Sequence, residues 1–140
     1  MKDWRSLAHT KWECKYHIVL VPKYRRKVLF GNVRERTREI FRELCRQRDI
    51  EIVEGNIRKD HLHVCLSIPP KYSVANAIGF LKGKTAIRLH REFGKGQLSG
   101  KNFWIRGYCV STVGLDEETI RQYIRDQERH DSGQTELMFD

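Results

Sequence analysis

The chain has 140 residues, of which 39% are hydrophobic and 32% charged, with a formal net charge of +9. That length fits a single domain, 1–140, with a real core, and no apolar run reaches the roughly 20 residues a membrane-spanning helix needs. The excess of positive charge suits a polyanionic partner or, on charge alone equally well, a solubilising surface; the placement of the cations decides between them.

The charged start Met1-Lys2-Asp3-Trp4-Arg5 is unlike a signal peptide, so a cytoplasmic protein is expected. Cys14, Cys45, Cys65 and Cys109 lack CxxC spacing and sit in or beside apolar runs, which suits buried thiols in a reducing compartment. In chain order, residues Cys14 to Val21 read as a strand stopped by Pro22. Asn32 is expected to cap a helix running to about Arg48, with Ile40, Phe41, Leu44 and Cys45 inward. Ile50 to Ile57 is a second strand, turned by Arg58-Lys59-Asp60 into a third that ends at Pro69-Pro70. Ser73 caps a long helix with Val74, Ala77, Ile78, Leu81 and Leu89 inward. A glycine-rich loop spans Gly94 to Lys101, and Phe103 to Val113 forms the last strand, broken at Gly114. Asp116 caps a final helix carrying Glu117 and Glu118 in its first turn, where the helix dipole favours acids. Gly133 ends it, leaving a loosely held tail, 134–140. The order βαββαβ followed by a helix predicts an α+β, ferredoxin-like fold: an antiparallel sheet with two helices on one face.

The third strand carries the clearest chemistry. Leu62, Val64, Leu66 and Ile68 alternate with His61, His63, Cys65 and Ser67, so the apolar set meets the helices and the histidines take the open face. Two imidazoles about 7 Å apart along one strand face can converge on a metal ion, although a short His-x-His pattern also arises in purely structural strands. On the final helix Ile120, Tyr123, Ile124 and Gln127 share one stripe. An ordinary amphipathic helix with a core tyrosine explains most of that stripe, but Gln127 stands where a core wants an apolar side chain, and its oxygen is a hard ligand one turn from the Tyr123 hydroxyl. An ion held by two imidazoles and an amide keeps its full charge to polarise a phosphate. Attack by tyrosine on a phosphodiester conserves bond energy, so rejoining needs no ATP, and the chain has no Gly-x-x-x-x-Gly-Lys-[Ser/Thr] loop.

Two basic regions suit single-stranded nucleic acid, whose bases stack on aromatics while its phosphates pair with cations. Lys23, Tyr24, Arg25, Arg26 and Lys27 follow the first strand; Lys82 and Lys84, with Arg88 and Arg91, lie along the second helix beside Gly79 and Gly83. Glycines inside a helix cost stability, so close approach of another backbone is expected there.

Together these pieces resemble the HUH-type, single-tyrosine transposases of the insertion-sequence 200/605 group. The resemblance rests on Tyr16 to Leu29 with its Pro-Lys-Tyr-Arg-Arg run, Asp60-His-Leu-His-Val64, Phe80 to Thr85 and Tyr123-Ile-Arg-Asp-Gln127, in that order across nearly the whole chain. It implies a Mg²⁺ or Mn²⁺ ion, with His61, His63 and Gln127 as ligands and Tyr123 as the nucleophile that becomes joined to a 5′ phosphate. It also implies single-stranded DNA hairpins as substrate, and a homodimer in which the tyrosine helix of one subunit completes the site of the other. A domesticated, palindrome-associated relative would share the chemistry without the mobility. A non-catalytic nucleic-acid-binding module would explain the charge but not the coincidence of His61, His63, Tyr123 and Gln127.

Overall fold

The computed structural model describes residues 4–7, 9–94 and 103–131. Its strands are β1 (Arg5–Leu7), β2 (Thr10–Trp12), β3 (Lys15–Leu20), β4 (Glu51–Arg58), β5 (His61–Ser67) and β6 (Cys109–Ser111). Its helices are α1 (Gly31–Gln47), α2 (Val74–Phe93) and α3 (Glu117–Asp131), with a short 3-10 turn at Lys23–Arg25.

The main sheet has the order β4-β5-β3-β6 and is antiparallel throughout. β3 and β4, joined through α1, therefore flank β5, which is the split arrangement of the ferredoxin-like fold. One face packs on α1 and α2: Ile18, Leu20, Leu62, Val64 and Leu66 meet Ile40, Phe41, Leu44, Ile78 and Leu81 in one buried cluster. Each fully buried Leu or Ile contributes about 1.5–3 kcal/mol, so this face supplies most of the drive to fold. The other face carries a smaller cluster, Val19, Val21, Ile105, Ile120 and Ile124, where α3 lies on the sheet.

The caps of the second and third helices form as expected. Asn76 N donates to Ser73 Oγ at 3.0 Å, and Thr119 N donates to Asp116 Oδ1 at 2.8 Å. Helix α1 corrects the expectation at Asn32: it begins at Gly31, and Phe30 takes the cap position with no side-chain hydrogen bond. Because that helix is held by its buried stripe, it does without a side-chain cap.

The last strand is much shorter than Phe103 to Val113. Only Cys109–Ser111 pairs with β3, and upstream a single bridge joins Pro22 to Trp104. Gly107 takes a left-handed φ of 82°, which turns the chain out of the ladder. A small hairpin, β1–β2, precedes the predicted elements altogether. Gly79 and Gly83 also differ from expectation: both are exposed, and among the described residues a Cβ added at either would meet nothing within 4 Å, so no other described segment packs against them. The glycine-rich loop falls largely, and Gly133 and the tail entirely, outside the described residues. Among the described residues no helix is long and apolar enough to cross a membrane.

Candidate active site

The open face is a grid fixed by strand register. Val19 of β3 stands opposite His63 of β5 on one side and Cys109 of β6 on the other, and His63 stands opposite Asn56 of β4. The next row runs Ser111, His17, Cys65, Glu54. Because Ile18, Leu20, Leu62 and Val64 point into the main core, the alternation of side chains puts His17, His61 and His63 together on the opposite face. A cavity of about 310 Å³ lined by Glu54, Gly55, Asn56, His63 and Cys65 opens beside His63.

His61 is buried, at 3% exposure, and its Nδ1 lies 2.9 Å from Asp60 Oδ1. A carboxylate can only accept, so Nδ1 donates and the lone pair of the neutral ring is on Nε2. That carboxylate–imidazole arrangement is the one that orients metal-binding histidines. The other Asp60 oxygen lies 3.6 Å from Arg121 Nη1 on α3, and Arg121 Nε donates to Glu117 Oε1 at 3.0 Å.

His63 is half-buried, and its imidazole is held below its ordinary range. Burial is the largest cause, followed by the neighbouring His17 and His61 rings, with Glu54 and Glu117 opposing. It is therefore neutral at pH 7, the form that donates a lone pair. His17 was not among the candidate residues. Its ring centroid lies 5.7 Å from that of His63, and its Nδ1 is buried without a hydrogen-bond partner. Ile18 and Leu20 face the helices, which puts His17 on the histidine side once β3 pairs with β5. Removing this neighbour should relieve His63. We expect the His63 NMR titration midpoint to lie below the 6.5 of an ordinary imidazole and to move upward in His17→Gln. A midpoint unmoved by that substitution would deny the coupling of the two rings.

Helix α3 seats its stripe on this same face. Ile120 and Ile124 are buried against Val19, Val21 and Ile105, with Tyr123 at the edge of that cluster near Cys109. Burial, with a smaller contribution from Cys109, pushes the Tyr123 phenol well above its ordinary value. Cys109 is two strands from His63, about 10 Å by sheet spacing. Gln127 is half-buried one turn further along, and no hydrogen bond joins Tyr123 or Gln127 to a histidine among the described residues. Nor do three His, Cys, Asp or Glu side chains there form a group that could hold a metal ion. The donors that fit one are the imidazoles of His61 and His63, with further oxygens required from elsewhere.

The two basic regions meet. Lys23, Lys82, Gly83, Phe103, Trp104 and Arg106 line one cleft of about 530 Å³ between the 3-10 turn and α2. Tyr24 is exposed with a left-handed φ of 60°, and Lys23 Nζ lies 5.4 Å from its ring centroid. Arg26 Nε donates to Lys23 O at 3.1 Å, which ties the turn together. The Arg25 side chain lies outside the described residues. Lys84 is exposed, whereas Lys82 donates to Ile105 O and Gly107 O, both at 2.8 Å. The Lys82 ammonium thus fastens the segment that Gly107 bends, and partial burial lowers its pKa. All four cysteines are free thiols.

The family described as "Transposase IS200 like" matches residues 10–127. The chain is 45% identical over 133 residues to the transposase of insertion sequence element IS200 from Salmonella typhimurium, an alignment covering 94% of this chain and 88% of that protein. It is 32% identical over 119 residues to the ISDra2 transposase TnpA of Deinococcus radiodurans, covering 83% and 85%. Among solved structures, a candidate transposase from Deinococcus radiodurans superposes with a TM-score of 0.74 at 29% identity, covering 88% of this chain and 96% of that one. A REP-associated tyrosine transposase bound to a REP hairpin gives a TM-score of 0.56 at 13% identity, covering 94% and 74%; this likeness concerns the fold alone.

Proposed function

This chain belongs to the IS200-like transposase family, and we propose that it cuts and rejoins single-stranded DNA through a covalent link to Tyr123. The observation that carries the reading is the shared face: the helix bearing Tyr123 is docked on the sheet surface that presents His61 and His63. A non-catalytic binding module leaves that coincidence without a purpose.

His61, His63 and Gln127 are the side chains suited to hold the ion. Bound Mg²⁺ or Mn²⁺ would supply positive charge that polarises the scissile phosphate and stabilises the leaving oxygen. Tyr123 Oη attacks phosphorus, the P–O3′ bond breaks, and the products are a 5′-phosphotyrosine and a free 3′-hydroxyl. The reverse attack by a 3′-hydroxyl restores the strand and releases the phenol, with no nucleotide consumed. The phenol proton must leave during attack, and burial of Tyr123 opposes that loss.

The seating of Tyr123 near Cys109, two strands from His63, supports a homodimer in which α3 of one copy completes the site of the other. The substrate is DNA with a hairpin, as in the REP hairpin complex of the distant structural relative. Its backbone is proposed to follow Lys23, Tyr24, Arg25, Arg26 and Lys84 along the basic cleft. The test is incubation of hairpin-bearing single-stranded DNA with the protein and Mn²⁺, read on a denaturing protein gel. A metal-dependent protein–DNA species supports the reading; tight binding with no such species on any cognate hairpin rejects it.

Neutralising Lys23, Arg25 and Arg26 together should weaken DNA binding and make its log–log salt dependence shallower by about 2, at roughly 0.7 per phosphate contact for a single strand. Binding isotherms from low to high salt measure this, and an unchanged slope removes the turn from the interface.

A further inference from the structure

Asp60 is a carboxylate at 6% exposure, placed between a strand and a helix. An ionised group so deeply buried is costly unless paired on its exposed lone pairs. Its two oxygens have different partners: Oδ1 lies 2.9 Å from His61 Nδ1, and Oδ2 lies 3.6 Å from Arg121 Nη1. Arg121 is in turn held by Glu117 within α3, so its guanidinium joins the first turn of the helix to the loop before β5.

We propose that Asp60 is a positioning residue shared by the metal-ligand strand and the tyrosine helix. Oδ1 fixes His61 in the tautomer whose Nε2 can bind an ion, and Oδ2 holds α3 on the sheet through Arg121. This rests on the reading of His61 as a metal ligand. A neutral imidazole has one donor and one acceptor nitrogen, and an acceptor-only carboxylate decides which is which. An amide at position 60 could offer its NH₂ instead, let the proton move to Nε2 and close the ligand site. The second oxygen adds a directional tie to a helix otherwise held by Ile120 and Ile124.

Asp60→Asn keeps the volume and separates the two jobs from general packing. In metal-free protein, long-range ¹H–¹⁵N spectra should move His61 from the Nδ1–H tautomer toward Nε2–H. Mn²⁺ affinity, read as free Mn²⁺ by EPR, should fall about 10–100-fold. Hydrogen exchange in the first turns of α3 should also rise, although the substitution lies on another element. Arg121→Gln, at a half-exposed position that folding tolerates, should raise α3 exchange about two- to fivefold, leave the His61 tautomer unchanged, and be reversed by Arg121→Lys. Asp60→Asn with an unaltered tautomer, or either variant with wild-type α3 exchange, overturns the shared role. Wild-type protein that binds no Mn²⁺ overturns the metal reading and the inference with it. Wild-type binding that Asp60→Asn leaves intact overturns the inference alone.

Discussion

Tyr123→Phe is expected to abolish the covalent protein–DNA species and to lower strand cleavage by at least about 10⁴-fold, equivalent to about 5.5 kcal/mol of lost transition-state stabilisation. The substitution removes one oxygen and keeps the ring that packs at the edge of the Val19, Val21, Ile105, Ile120 and Ile124 cluster. Folding should therefore be unchanged, and the loss of a phenol whose ionisation burial resists removes no charge at neutral pH. Hairpin binding should also persist, because the basic cleft is lined by residues outside α3. The measurement is a denaturing gel with label on the 5′-phosphate side of the cut, beside a binding isotherm for the same DNA. Cleavage at the wild-type rate would remove Tyr123 as the nucleophile.

His61→Ala should lower cleavage by about 10²–10³-fold, the scale of losing a major electrostatic contribution to a developing charge. EDTA should bring wild type to a similar level, and added Mn²⁺ should rescue wild type but not the variant. The substitution also takes away the ring that meets Asp60 Oδ1 at 2.9 Å, while Arg121 stays 3.6 Å from Oδ2, so a stability loss of about 1–3 kcal/mol accompanies it. His61→Gln, which refills most of the volume, separates the two effects: stability returns while cleavage stays low. Full activity in EDTA would contradict a metal-assisted reaction.

The sequence was most legible where one signal served two ends. In β5 the alternation of Leu62, Val64 and Leu66 with His61, His63 and Cys65 specified a strand and also its faces, since period two leaves no third choice. Ser73 and Asp116 announced helix starts because their oxygens satisfy amides only three residues away. The ferredoxin-like order followed from the sequence of elements. The rest depends on contacts between distant residues. The β1–β2 hairpin consists of three-residue strands in which Arg5, Ser6, Thr10 and Lys11 are exposed, too short a run to read an alternation from. The 103–113 segment looks like one strand, but its course is set by the φ of Gly107 and by the Lys82 ammonium, 25 residues earlier in the chain. Lys82 itself read as a DNA-contacting cation, because its bonds to Ile105 O and Gly107 O join distant parts of the chain. His17 was hidden by its neighbours: a lone histidine in an apolar strand acquires meaning only once β5 is set beside it.

Val19 carries no reactive group, yet it stands between Cys109, where the phenol rests, and His63. The gap between the halves of the site is thus counted in hydrogen-bonded strands, with β3 as the ruler. A slip of β3 by one residue would turn His17 and Val19 inward and offer Ile18 and Leu20 to α3. The main core forbids that slip, because Ile18 and Leu20 are wholly buried against the other helices. Alignment of the chemistry is in this sense inherited from oil-like packing on the far side of the sheet. Selection for a well-filled core and selection for an aligned centre thus act on alternate side chains of one four-residue run, His17 to Leu20.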